Sequence, residues 1–93
     1  MEYKDTVIYM LSSDYKKRFR AEYWQTKLRY EKLKAYNTKI QASMFMEAKS
    51  NMEAVPHDCP LCLLEEQQHA MGQYLHVLEL RAVIEGIDLE EEL

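Results

Sequence analysis

A chain of 93 residues is enough for one domain, spanning 1–93, but buries little surface on its own, so oligomerisation is expected. With 47% hydrophobic residues, two glycines and two prolines, the composition suits a helical protein and excludes a linker-rich or disordered one. The net charge of −4 hides a segregation: residues 16 to 39 carry nine of the twelve basic side chains, whereas residues 58 to 93 carry nine acids and one Arg. A basic helix and an acidic one can pair in an antiparallel hairpin, or the basic face can hold phosphates.

No apolar run reaches the roughly 18 residues of a membrane span, so no membrane partner is expected. The first nineteen residues, MEYKDTVIYMLSSDYKKRF, show no secretory signal. Two cysteines without such a signal point to reduced thiols in cytoplasm and not to a disulfide framework.

In chain order, residues 5–11 (DTVIYML) read as a short amphipathic helix with Asp5 as N-cap. Ser12, Ser13 and Asp14 then punctuate the chain and open a long helix over 14–50, which meets no Gly or Pro before Pro56. Phe19, Tyr23, Thr26, Tyr30, Leu33, Asn37, Ile40 and Met44 alternate four and three apart, so they share one seam of that helix. The helix ends between Glu47 and Asp58, where Asn51 and Pro56 interrupt the pattern.

A last helix is predicted over 59–86. It starts at Asp58 or Cys59 with Pro60 in its first turn and stops at Gly86 with the apolar Ile87 just beyond. In the acidic tail 87–93, the stretch from Asp88 to Leu93 is expected to be loose. Leu61, Leu64, Gln68, Met71, Leu75, Leu78 and Ala82 form the seam of this helix. Folded back antiparallel, the seams align Ile40 with Leu64, Leu33 with Met71 and Thr26 with Leu78, and set Asn37 opposite Gln68. The one strongly polar residue of each seam then meets its counterpart and fixes the register.

A second stripe on the last helix (Leu63, Ala70, Tyr74, Val77, Ile84) and an off-seam face on the long one (Trp24, Leu28, Ala35, Ala42) exceed what one hairpin can bury. Hairpins are therefore expected to pack against each other. The fold class is all-α: a short N-terminal helix, then a long antiparallel two-helix hairpin resembling a coiled coil, assembling into a helical-bundle oligomer.

Three groups of residues carry chemistry. Lysines and arginines interleave with Tyr15, Tyr23, Trp24 and Tyr30, a pattern that either holds phosphates and stacks on bases or forms a solvated face over a tyrosine core. Phe19, Tyr23 and Tyr30 sit on the seam and read as packing residues, leaving Tyr9, Tyr15 and Arg18 freer to meet a ligand. His57, Cys59 and Cys62, with His69 further on, are ligand types for zinc, but the set does not converge, and the cysteines read as small apolar residues at a helix start. Arg81 is either the ion-pair partner of Glu85 one turn away or a cation facing a pocket shared in an oligomer. No nucleophile with its base, no acid and base pair and no Gly-rich phosphate loop stands out, so an enzyme is not expected.

Two sets of residues carry a resemblance. On the long helix they are Tyr15-x-x-Arg18-Phe19-x-x-Glu22 and Tyr30-x-x-Leu33-x-x-Tyr36; on the last they are Leu64-x-x-x-Gln68-x-Ala70-Met71-x-x-Tyr74-x-x-Val77-Leu78-x-x-Arg81. Over about residues 15 to 86 the chain resembles short helical-hairpin proteins encoded by gut (crAss-like) phages and related to the sponge proteins of anti-CBASS and anti-Thoeris systems. The resemblance implies a homo-oligomer, hexameric in relatives, that holds cyclic nucleotide immune signals without cleaving them, in the cytoplasm of the infected bacterial host. No cofactor, no metal and no nucleic acid polymer as partner is expected. An aromatic near the N-terminus, a basic residue early in the long helix and an Arg on the last helix bind ligand in such proteins, which here implies Tyr9 or Tyr15, Lys17 or Arg18, and Arg81. The runner-up is a structural or partner-binding coiled-coil oligomer with no small-molecule ligand, and a zinc-binding interaction module trails both.

Overall fold

The computed structural model describes residues 2–50 and 58–90, with residues 47–50 as backbone only. They form three helices, α1 (Tyr3–Met10), α2 (Tyr15–Ser50) and α3 (Leu61–Glu85), with no strand among the described residues. The connection expected around Pro56 and His57, and the last three tail residues, lie outside them.

Local hydrogen bonding explains each boundary. Helix α1 begins at Tyr3, two residues before the expected start, because the Asp5 carboxylate reaches back to accept the backbone N–H of Glu2 at 3.1 Å. Asp5 is thus the acid of the first turn and Glu2 the N-cap, a reversal that sequence pattern does not reveal because acids suit both places. The Ser12 hydroxyl accepts the Asp14 N–H at 3.0 Å, and the Asp14 carboxylate accepts the Lys16 N–H at 2.9 Å, so Asp14 caps α2. Helix α3 starts at Leu61, not at Asp58 or Cys59. Pro60 holds φ −57° and ψ 138°, an extended N-cap conformation, and its carbonyl accepts the N–H groups of Leu63 and Leu64. A proline also biases the residue before it away from helix, which keeps Cys59 out. At the far end Gly86 adopts φ 70° and ψ 34°, and Ile87 donates its N–H to the Ala82 carbonyl at 2.8 Å. This is the left-handed stop that the sequence predicts.

Helices α2 and α3 run antiparallel, since Tyr15 bonds Glu85, Tyr23 bonds Glu79 and Asn37 bonds Gln68. The Asn37 Nδ2 donates to Gln68 Oε1 at 2.9 Å and to the Leu64 carbonyl at 3.1 Å, in the register that the two seams predict. Along the α2 seam, Phe19, Tyr23, Asn37 and Ile40 are buried; Thr26, Tyr30 and Leu33 are half-buried; Met44 is exposed. The core gathers at one end of the hairpin, where Phe19 and Tyr23 meet Leu75, Leu78, Ala82 and Ile87, with Trp24, Tyr30 and Leu89 against them.

Two expectations about surface change here. The Trp24 and Leu28 side of α2 is half-buried within the chain, because the indole N–H of Trp24 donates to the Leu89 carbonyl at 2.8 Å while α1 packs against α2. Leu28 lines a crevice with Glu2, Tyr3 and Lys4 of the N-terminal segment. The start of the tail is likewise anchored, because the Trp24 bond holds Leu89, and Asp88 Oδ1 accepts the Glu90 N–H in a local turn at 3.0 Å. The second stripe of α3 does stay exposed, with Leu63, Tyr74, Val77 and Ile84 all open to solvent.

Candidate ligand-binding site

At the packed end of the hairpin the first turns of α2 lie beside the last turns of α3, and charged side chains surround an aromatic floor. Arg81 projects from α3 with its guanidinium 5.1 Å from the centre of the Phe19 ring. Its Nη2 donates to the Tyr15 hydroxyl at 2.6 Å and its Nε to Glu85 Oε2 at 3.0 Å. The Tyr15 hydroxyl in turn donates to Glu85 Oε1 at 2.9 Å, closing a ring of three side chains. The Tyr15 and Phe19 rings sit 6.1 Å apart at a tilt of 59°. One helical turn on, the Tyr74 hydroxyl donates to the Glu22 carboxylate.

Arg18 completes the rim. The loop that ends α1 brings the Ser12 carbonyl within 2.6 Å of Arg18 Nη1, which fixes the guanidinium near Tyr15. Tyr15, Arg18 and Arg81, with Met10, Phe19 and Glu22, line a cleft of about 290 Å³. Three of the five residues singled out from sequence thus converge. Tyr9, half-buried on α1, and Lys17, half-buried on α2, do not line it, since neighbouring helical positions point roughly 100° apart.

The hydrogen bonds set the protonation states. The bond to Glu85 raises the Tyr15 phenol above its ordinary 10.0, with partial desolvation adding to it. Tyr74 is raised in the same way by its bond to Glu22. Arg81 is pushed further into its charged form by Glu85, against an opposing desolvation. At neutral pH the cleft therefore presents the protonated Tyr15 phenol and the charged Arg81 guanidinium, with Arg18 at its rim, and Tyr15 does not serve as a base.

Sequence reading missed Glu22 and Tyr74 as a pair and Met10 and Phe19 as walls. Glu22 and Phe19 do stand in the Tyr15-to-Glu22 motif, but their spacing there fits helix packing equally well. Arg81 is paired with Glu85, as the one-turn spacing suggests, and it also lines a cleft within the single chain. A larger groove of about 800 Å³ lies between α2 and α3, lined by residues that include Gln68, His69, Gly72 and His76. It has no lysine or arginine in its wall, so it offers an anion far less than the smaller cleft does. Cys59 and Cys62 are exposed thiols, and no three His, Cys, Asp or Glu side chains converge on a metal position among the described residues. His57 lies outside those residues, and no helix among them is long and apolar enough to cross a membrane.

No curated protein and no solved structure matches the chain. A family model does: Sequestin, whose name speaks of sequestering a ligand and so of binding rather than turnover, matches residues 13–84. The matched stretch carries Tyr15, Arg18 and Arg81 and leaves α1 outside. With more than three quarters of its length matched, the chain belongs to the Sequestin family.

Proposed function

We propose that the protein is a phage anti-defence sponge, a homo-oligomer that sequesters cyclic nucleotide immune signals in the cytoplasm of the infected host without cleaving them. The signals are cyclic di- or trinucleotides or cyclic ADP-ribose isomers. The observation that carries this reading is the convergence of Tyr15, Arg18 and Arg81 on one cleft in a Sequestin member. Arg81 and Glu85 are both partly exposed, so their ion pair contributes little and exchanges easily. A phosphate offers the guanidinium anionic oxygen acceptors in place of the Glu85 Oε2, and charge-assisted bonds of this kind contribute about 1.5 to 3 kcal/mol each. Tyr15, exposed at the cleft, offers a ring face to a base, a contact of about 1 to 3 kcal/mol. A cleft of about 290 Å³ is small for a dinucleotide, which fits a site completed by a neighbouring subunit, hexameric assembly included.

Calorimetry against a panel of cyclic dinucleotides, cyclic trinucleotides and cyclic ADP-ribose isomers tests this. At least one should bind below ~10 μM, near −7 kcal/mol, and be recovered chemically unchanged after heat denaturation. Tyr15→Ala, Arg18→Ala and Arg81→Ala should each weaken binding at least tenfold. Tyr9→Ala and Lys17→Ala, the alternatives at the aromatic and basic positions, should matter less because neither side chain lines the cleft. If the whole panel fails, the second reading takes over: a structural or partner-binding coiled-coil oligomer, favoured by the exposed apolar stripe of α3. A hydrolysed ligand would instead point to an enzyme.

A further inference from the structure

The exposed face of α3 has a regularity beyond being apolar. Leu63, Ala70, Val77 and Ile84 recur every seven residues, and Gln67, Tyr74 and Arg81 follow the first three of them by four. The strict seven-residue period means that the complementary surface is another helix. This line stands away from the buried face of Leu75, Leu78 and Ala82 and runs roughly 32 Å along the helix. Within the described chain Leu63, Ala70, Val77 and Ile84 stay uncovered, since α1 is committed to α2 and Leu89 to Trp24, while Tyr74 and Arg81 at the edge of the line reach α2 through Glu22 and Tyr15.

The charges on and beside the line decide which helix fits. Arg81 is the only basic residue of α3, and Glu66 is the acid flanking the line near its other end. Parallel pairing of two copies would set Arg81 against Arg81. Antiparallel pairing sets Leu63 against Ile84 and Ala70 against Val77, with Tyr74 meeting its own copy at the two-fold axis. The same register brings Arg81 against Gln67 and Glu66, twice by symmetry. The line is thus complementary to itself in one orientation, as a two-fold interface requires.

We infer that α3 pairs antiparallel with α3 of a second copy along Leu63, Ala70, Tyr74, Val77 and Ile84, locked in register by Arg81 and Glu66. This rests on the homo-oligomer proposed above and on no ligand. At the interface Glu66 of one copy competes with Glu85 of the other for Arg81, so assembly and the cleft share a residue.

Disulfide trapping tests the orientation. In a full-length chain carrying Cys59→Ser and Cys62→Ser, Ala70→Cys and Val77→Cys are introduced in separate preparations. Mixed and oxidised, they should give a covalent dimer in high yield, while either alone gives little. Val77→Cys linking to itself as readily as the mixture would overturn the antiparallel pairing. No linkage in a protein that light scattering shows to be oligomeric would overturn this face while leaving the oligomer standing. A monomer at micromolar concentration would remove the oligomer itself. As an independent check, Glu66→Arg should weaken self-association about tenfold, and adding Arg81→Glu to it should restore association; a double variant as weak as the single one counts against the pairing.

Discussion

The two ends of the hairpin are built from the same two helices and differ in almost every other respect. At one end Phe19, Tyr23, Leu75 and Leu78 are buried, polar groups bridge the helices, and α1 and the segment after Gly86 press on the outside. At the other, Met44 is 48%, Phe45 73% and Leu63 53% exposed. Two helices alone can bury only the strip where they touch, whatever their sequence; a closed core needs a third element. Among the described residues, third elements stand at one end only. That is the end where Arg18 and Arg81 are held by hydrogen bonds to positions beyond their own helix, and a recognition site needs side chains fixed in this way.

Mutation should expose this difference sharply. Leu78 is 1% exposed at the closed end, so Leu78→Ala should cost about 2 to 5 kcal/mol in denaturant unfolding. Phe45→Ala at the open end should stay within about 0.5 kcal/mol for the isolated chain. Equal losses would abolish the distinction, and a large loss at Phe45 that appears only in the oligomer would show that a neighbour covers the open end.

Between the ends, Asn37 is buried with its Oδ1 unpartnered while its amide nitrogen bonds Gln68. Replacing both residues with Leu should raise stability by about 1 to 2 kcal/mol, because a buried orphan acceptor disappears with its partner. The gain should come with a looser register, visible as heterogeneous cross-linking between the two helices. Gly86→Ala should cost about 1 kcal/mol purely through backbone strain, since φ is 70° and an added Cβ meets nothing within 4 Å.

The smallest effect is on pH. Tyr15 and Tyr74 hold their protons above 10.0 in the folded chain, first through their bonds to Glu85 and Glu22. A raised folded value means that the native state binds the proton more tightly than the unfolded one. Their contribution is complete below the unfolded value of 10.0 and is lost as pH rises through the folded values. Tyrosinate absorbance should show three late-titrating phenols, Tyr23 among them because burial raises it, and Tyr15→Phe and Tyr74→Phe should each remove one.

Much of this was legible in the sequence, for reasons that differ by element. The seams, the Asn37 to Gln68 alignment, the Gly86 stop and the Arg81 to Glu85 pair follow from helical periods and local rules, which act over a few residues or repeat regularly. The cover over Trp24 did not show, because its hydrogen bond spans 65 residues and joins a side chain to a bare carbonyl that has no sequence signature. In the cleft, Tyr15, Arg18 and Arg81 were read from chemical type and resemblance. Glu22 and Tyr74 were not read as a pair, because they are 52 residues apart and meet only through the packing of α3 on α2.

The indole of Trp24 is the chain's only one, and it sits at a junction: hydrogen-bonded to the Leu89 carbonyl, edge-on to Tyr23 at 5.6 Å between ring centres, with the Lys27 ammonium 5.1 Å above it. Its emission is therefore a single-site reporter of whether the C-terminal segment is docked. Release of that segment lets water reach the indole and shifts the spectrum to the red while the helical circular dichroism stays unchanged. The molecule thus carries its own optical means of separating the undocking of its end from the melting of its helices.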